Sequence, residues 1–394
     1  MDPEGKKVGG VESLIKGFIK YAPDDLEIEL VGVSTDPSKR PLGKFTDLKI
    51  GSKIFKFFPV LCEKNENVKS KIPLSLRFAW ALKKSTYNFS DKLIFLHAIE
   101  SAFIFKNTRA PLFLVIHNDL SKQITGKKGE VLWRRIPFLY FWYERRIMNF
   151  VDKIYTESGS TLNLYKSKYP DLINKFNFLP TCFDNEIFYR RDEEKSKLRM
   201  ELRSNNSRFP QSAKWVIFTG RLQAQKGPER LIESFFEYQK KRSDSILMII
   251  GEGNLKKAAE RLADKLNVSD KVHFVGSKEQ SEVADYYRAG DVFLMTSYYE
   301  GMSVSVLEAL ACGLPVVSTD VGENGRVVKH AFSGEIVSQY SPLAMADALE
   351  KVVSEPDCYR ASHCESSVLA YTPVKVLEPV YKAMRQAARE RFSQ

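Results

Sequence analysis

Residues 215–251 read WVIFTGRLQAQKGPERLIESFFEYQKKRSDSILMIIG. An apolar run, Trp215–Thr219, ends at Gly220. Apolar residues then recur at helical spacing over Leu231–Tyr238. A second apolar run, Ile246–Ile250, ends at Gly251. Short, wholly apolar runs closed by glycine predict strands buried on both faces. A helix between two such strands predicts that they run parallel, because a parallel pair needs a long crossover. The pattern continues outward. Leu255, Ala258, Ala259, Leu262 and Leu266 mark one helix face, and Val272–Val275 is a strand ending at Gly276. Val283–Ala289 is helical, Val292–Met295 a strand, and Pro315–Ser318 another. Between the last two, Val304, Leu307, Leu310 and Ala311 mark a helix face. The prediction is an α/β domain with a doubly wound parallel sheet covered on both faces.

The N-terminal half repeats the alternation less cleanly. Strands are expected at Ile28–Val33, Lys53–Val60, Lys92–His97, Leu112–His117 and Lys153–Thr156. Helices are expected at Val11–Tyr21, Leu74–Lys84, Ala98–Lys106 and Leu139–Phe150. The charged stretch Arg190–Gln211 reads as a linker with a short helix inside it. The expected division is 1–189 for an N-terminal domain, 190–375 for a C-terminal domain, and 376–394 for a helix packing back on the first domain. A length of 394 residues fits two Rossmann-like domains better than one core. Ligands of such sheets bind outside the strand C-terminal ends, so the expected site is an interdomain cleft.

The composition excludes several classes. Hydrophobic residues are 43% and charged residues 28%, which excludes wholesale disorder. The five cysteines form neither a C-x-x-C pair nor a His/Cys cluster of zinc spacing. A disulfide scaffold is therefore not expected, and the expected compartment is the cytoplasm. No signal peptide is read at the N-terminus, and no run reaches the ~18 apolar residues of a membrane span. The formal charge is +11, but it is unevenly distributed. Residues 1–190 carry 31 Lys+Arg against 21 Asp+Glu, whereas 191–394 carry 29 against 28. The excess peaks at +11 within residues 53–150. Such asymmetry predicts different partners for the two halves.

Two motifs carry the chemistry. The first is Glu300-Gly301-Met302-Ser303-Val304-Ser305-Val306-Leu307-Glu308, after a strand and across a helix start. The N–H groups of Met302, Ser303 and Val304 would leave the helix N-terminus unpaired, an anion site for a pyrophosphate. Gly301 would let a ligand approach the backbone, and the two carboxylates would accept from hydroxyls. The plainer alternative makes Glu300 a first-turn acid and Glu308 a surface residue. The second motif is Gly220-Arg221-Leu222-Gln223-Ala224-Gln225-Lys226-Gly227. Its guanidinium and ammonium could together neutralise a diphosphate, or they could be two solvated surface cations. It lacks the G-K-[ST] ending of a P-loop.

Weaker signals accompany these. Gly9-Gly10 opens a helix as a possible phosphate turn. His117-Asn118-Asp119 ends a strand, where a lone histidine is either structural or catalytic. Gly251-Glu252-Gly253 has Lys256 in place of a third glycine, so it is no dinucleotide fingerprint. No Asp-x-Asp pair occurs, which removes one common carboxylate site for a metal-bound nucleotide sugar.

Taken in order, FTGRLQAQKGPERLIESF, ILMIIGEG, HFVGSKEQSEVADYYRAGDVFLMTSYYEG and VLEALACGLPVVSTDVGENGRVV resemble the family 4 retaining glycosyltransferases of GT-B fold. Fainter likeness runs through GGVE, LVIHND, VDKIYTES and FLPTCFDNEIF. The resemblance implies two Rossmann-like domains and a nucleotide-diphosphate sugar donor, a UDP-sugar ahead of GDP-mannose. No metal and no further cofactor is implied. It implies that Arg221 and Lys226 hold the diphosphate and Glu308 the ribose hydroxyls. Glu300, Gly301, Met302, Ser303 and Val304 would hold donor sugar and phosphate. Glu300, His117, Arg221 and Lys226 would form the catalytic set, with Glu300 either a nucleophile or only a positioner in a same-face displacement assisted by the leaving phosphate. His117 would touch the donor sugar, Gly10 and Gly220 would let loops approach it, and the base would lie near Gly276. The sugar would go, with retained configuration, to a glycan or lipid-linked acceptor of the cell envelope. The chain departs from the family at its start, where eight mostly polar residues stand in place of an apolar strand before Gly9. It departs again at Arg326, where an acid is frequent.

Arg134, Arg135, Arg145 and Arg146 flank the apolar stretch IPFLYFWY, residues 136–143. Cations interleaved with aromatics predict peripheral contact with an anionic membrane. The alternative is a buried aromatic helix with solvated arginines. Rival readings are a GT-B hydrolase or epimerase and a non-catalytic nucleotide-sugar binder. A nucleic-acid binder rests on charge alone and lacks any recognisable module.

Overall fold

The computed structural model describes residues 1–5, 10–63, 72–117, 137–191, 195–204 and 212–392. Gly9, Asn118, Asp119, Arg134 and Arg135 lie outside the described residues. The chain forms two compact units, Met1–Thr181 with Pro373–Gln394, and Cys182–Thr372.

The first unit contains β1 (Glu29–Ser34), β2 (Thr46–Ile50), β3 (Lys53–Cys62), β4 (Ile94–Leu96), β5 (Leu112–Ile116), β6 (Lys153–Thr156) and β7 (Phe176–Phe178). They form a three-stranded sheet of order β1-β3-β2 and a four-stranded parallel sheet of order β4-β5-β6-β7. β2 was not expected from the sequence. Its five residues alternate between exposed and half-buried, so no apolar run announces it. It pairs antiparallel with β3 through Gly51-Ser52, and Gly51 takes φ +60, a backbone region glycine enters without a Cβ penalty.

Asp2 is buried beside β1. Its carboxylate accepts from the Thr35 N–H at 2.7 Å, the Thr35 hydroxyl at 2.7 Å, and Arg40 Nη2 at 2.9 Å. Burial alone would raise its pKa, but these bonds and one from the Glu4 N–H hold it below the ordinary value. The helix Pro373–Phe392 belongs to this unit. Tyr381 donates to the Phe18 carbonyl at 2.7 Å, and Arg385 forks onto Asp25.

The second unit contains β8 (Lys214–Thr219), β9 (Ser245–Ile250), β10 (Val272–Gly276), β11 (Val292–Met295), β12 (Val316–Thr319) and β13 (Gly334–Val337). They form one sheet of order β10-β9-β8-β11-β12-β13, parallel throughout. Strand periodicity sends alternate residues to opposite faces. Trp215 and Ile217 pack with Tyr287, Val306 and Leu310 on one face. Val216 and Phe218 pack with Leu231, Phe235 and Met345 on the other. Both faces are therefore covered, as the apolar runs require.

The boundary between the units differs from the sequence expectation. It falls after Thr181 because Phe183 and Phe188 pack into the core of the second unit. The stretch 190–211 is no free linker either. Its helix, Lys195–Ser204, is held by buried Arg199, which donates to the carbonyls of Ala289 and Ala213 and to Asp291. Among the described residues no helix is long and apolar enough to cross a membrane.

Candidate functional site

In the second unit the loops after β8, β9, β11 and β12 converge on one another. The loop after β8 is laid over that after β9 by glycine contacts. A Cβ at Gly251 would run into the Gly220 carbonyl, and one at Gly253 into that of Leu222. Gly251-Glu252-Gly253 is thus a packing seam, with the Leu222 N–H donating to the Glu252 carbonyl at 3.0 Å. The same β8 loop is tied to the β11 loop. The Tyr298 N–H donates to the Gln225 carbonyl at 2.8 Å, and the Thr296 hydroxyl donates to the Gly227 carbonyl at 3.1 Å. Gly227 takes φ +60, and a Cβ there would stand 2.7 Å from the Thr296 carbonyl oxygen.

These ties bring Lys226 onto Glu300, Nζ to Oε1 at 2.6 Å. The pair is well shielded, with side chains 19% and 8% exposed. The Ser297 hydroxyl donates to the same carboxylate oxygen at 2.8 Å, and Gln225 Nε2 reaches the other at 3.4 Å. Arg221 is exposed, and no ion pair involves it among the described residues.

The helix Val304–Ala311 begins just beyond Glu300, with Ser303 at its N-cap. The Ser303 side chain does not cap the helix; its hydroxyl meets that of Ser305 at 3.0 Å. Among the described residues the N–H groups of Met302, Ser303 and Val304 donate to nothing. Met302 itself sits in the core, so only its backbone is offered. Gly301 faces open space. The loop after β12 closes against it, with the Glu323 N–H donating to the Gly301 carbonyl at 2.8 Å. Gly322, at φ +57, has no room for a Cβ against that carbonyl. Arg326 pairs with Glu323 one turn on.

Glu308 lies one and a half turns into the helix. It keeps a little accessible surface but is closely surrounded by protein atoms. Burial pushes its pKa up to about 7, the Tyr287 hydroxyl pulls it down, Asp184 pushes it up and Lys226 pulls it down. Gly276, at φ +83, ends β10, and its carbonyl accepts from the Gly251 N–H at 2.8 Å. Sequence reasoning missed Ser297, Gln225, Thr219 and Tyr287. Tyr287 occupies a core position on its helix, so its periodicity signals packing and hides its hydroxyl.

In the first unit His117 follows β5 and His97 follows β4. His97 Nδ1 lies 2.9 Å from His117 Nε2, with the rings stacked. His117 Nδ1 is 3.1 Å from Glu157 Oε1, outside hydrogen-bond geometry. Both nitrogens of His117 therefore point inward. Burial, with the neighbouring His117, holds the His97 pKa well below the ordinary value. Gly10 is the first residue of the helix Gly10–Lys20.

The second unit thus gathers a lysine–glutamate pair, a second enclosed carboxylate and a helix start with unpaired N–H groups at one end of a parallel α/β sheet, an arrangement whose chemistry suits anions and hydroxyls. Residues 200–365 match the family described as glycosyl transferases group 1. The chain is 32% identical over 157 residues to a D-inositol 3-phosphate glycosyltransferase 2 from Catenulispora acidiphila, covering 38% of this chain and 37% of that protein. It is 31% identical over 199 residues to an uncharacterized glycosyltransferase from Methanocaldococcus jannaschii, covering 50% and 48%. The chain thus spans less than half the length of these two relatives.

Among solved structures, sucrose-phosphate synthase from Thermosynechococcus elongatus superposes with TM-score 0.77 at 18% identity, covering 100% of this chain and 97% of that one. Anabaena HepE in complex with UDP and glucose superposes with TM-score 0.67 at 15% identity, covering 97% of each. The fold is α/β of GT-B type, and the chain resembles the group 1 glycosyltransferases, as its ordered motifs imply.

Proposed function

We propose that this protein is a retaining glycosyltransferase that moves a sugar from a UDP-sugar to a glycan or lipid-linked acceptor without a metal ion. One observation carries the reading. Lys226, Glu300, Glu308 and three unpaired N–H groups at a helix start are gathered by four loops at one end of one sheet. Cations and N–H donors suit a diphosphate, and carboxylates suit sugar and ribose hydroxyls. In the transfer the acceptor oxygen bonds to C1 of the sugar as the bond from C1 to phosphate oxygen breaks. The acceptor proton passes to the departing phosphate. Lys226, Arg221 and the N–H groups of Met302–Val304 neutralise the leaving charge, the task a metal would otherwise perform. The UDP preference is supported by the complexes of HepE with UDP and glucose.

The acceptor side is assigned to the basic first unit, working at the inner, cytoplasmic face of a membrane in cell-envelope polysaccharide or glycolipid synthesis. The helix Pro137–Phe150 supports this. Tyr140, Ile147 and Met148 are buried, whereas Phe138 and Trp142 are 73% and 50% exposed. Arg146 stands over the Trp142 ring at 4.1 Å. Arg145 is less available, because it forks onto Asp171 at 2.6 and 3.0 Å.

A thermal-shift panel of UDP- and GDP-sugars tests the donor reading. UDP-sugars are expected to give the largest shift, undiminished by EDTA, and Glu308→Ala to abolish it. A full shift in that variant removes Glu308 from the site. Product NMR then reads the anomeric configuration.

A further inference from the structure

Tyr287 lies on the helix Gln280–Ala289 and is fully buried. Its ring packs edge-on to Phe293 at 5.7 Å. Its hydroxyl meets two groups, the Thr219 hydroxyl at the end of β8 and Glu308 Oε2 at 3.4 Å. An ionised carboxylate only accepts, and each hydroxyl has one proton to give. One arrangement satisfies all three groups: Thr219 donates to Tyr287, and Tyr287 donates to Glu308. Glu308 Oε1 has no partner among the described residues and is left for a ligand hydroxyl.

We infer that Tyr287 is a positioning residue of the donor site, its buried hydroxyl anchored by Thr219 and presenting the Glu308 carboxylate to a ribose. This rests on the proposed donor reading. The separation of 3.4 Å is long for an O–H···O bond, and such contacts tighten when a ligand binds.

The carboxylate is balanced between opposing neighbours. Burial and Asp184 favour its protonated form, while Tyr287 and Lys226 favour its ionised form. The Cys312 thiol one turn on is itself pushed up to about 12 and stays neutral. A protonated Glu308 would donate to Tyr287, and the chain of hydroxyls would reverse. A ribose hydroxyl would then lose its best acceptor. Donor affinity therefore rises with pH through neutrality, and Tyr287 sets the midpoint.

The test is calorimetric titration of the full chain with UDP-glucose from pH 5.5 to 8.5, or with GDP-mannose if only that binds. Neither diphosphate, being doubly esterified, titrates in this window. In Tyr287→Phe the midpoint should move up by about one pH unit, giving roughly tenfold weaker binding at pH 6.5 and near-parental binding at the alkaline end. Thr219→Val should shift it the same way by less, and it serves if Tyr287→Phe fails to fold. Glu308→Gln should flatten the profile. Equal weakening at every pH, or an unmoved midpoint, overturns the positioning role. A parental protein that binds neither sugar nucleotide, or a Glu308→Gln variant with the parental profile, overturns the donor reading instead.

Discussion

Asp2 in the first unit and Glu308 in the second are both enclosed carboxylates, and their surroundings push them in opposite directions. Asp2 accepts five hydrogen bonds, two each from Thr35 and Arg40 and one from the Glu4 N–H, and its pKa is lowered. Glu308 has one long bond from Tyr287, an acid nearby, and a raised pKa of about 7. The first arrangement engages both oxygens and, with the side chain fully enclosed, leaves no room for a ligand. The second leaves an oxygen unclaimed at a cost in stability. A fully satisfied carboxylate is a brace, whereas an under-satisfied one is what the proposed role of a hydroxyl receptor requires.

Removing the brace should have the largest effect on folding. Asp2→Ala leaves the Arg40 guanidinium, 4% exposed, without its main partner. Breaking a buried pair from one side costs on the order of 3 kcal/mol. Chemical denaturation followed by Trp80 and Trp142 fluorescence should show the first unit's transition at clearly lower denaturant. An unchanged midpoint would show that Asp2 holds nothing in place.

The receptor should behave oppositely. The folded pKa of Glu308, near 7, lies above the ordinary 4.5, so the folded form binds the extra proton between those values. Stability from this group is greatest below pH 4.5 and falls as pH rises through 7. Glu308→Gln removes that penalty. The variant's stability advantage over the parent should be about 2.5 kcal/mol larger at pH 8 than near pH 5. Melting both proteins at the two pH values reads this directly. An advantage no larger at pH 8 than near pH 5 would break the comparison.

The smallest effect concerns the outer face of the first unit. Phe138→Ser with Trp142→Ser should leave melting within about 1 °C, because both side chains are exposed. Binding to phosphatidylglycerol vesicles should fall roughly tenfold, with no change on neutral vesicles. Parental retention on the anionic vesicles removes this helix from the membrane contact.

How much was legible in the sequence differs between the units for a physical reason. In the second, strands buried on both faces must be wholly apolar, and runs such as Val292–Met295 cannot be misread. β13, Gly334–Val337, is equally short, but its sequence GEIV begins with glycine and glutamate and makes no apolar run. In the first, β2 shows one half-buried face and no apolar run, and Ala98–Lys106 resolves into a four-residue helix and a 3₁₀ turn. The loop residues that the structure brings together, Lys226 and Glu300, could be picked out because glycines mark their loops. Tyr287 could not, because a core tyrosine and a positioning tyrosine share the same spacing. Arg199 reads as linker charge, because the groups that fix it, the Ala213 and Ala289 carbonyls and the Asp291 carboxylate, are distant in sequence.

The bond between Lys226 and Glu300 has a consequence for the empty protein. With its ammonium already neutralised by Glu300, Lys226 itself has little attraction for chloride or other small anions. A singly charged ion would displace the carboxylate only to leave it stranded among Ser297 and Gln225. A diphosphate engages several donors together, Arg221 and the helix start as well as Lys226, and so can afford the exchange. On the proposed donor reading, the internal pair would favour ligands that bring two linked charges over those that bring one.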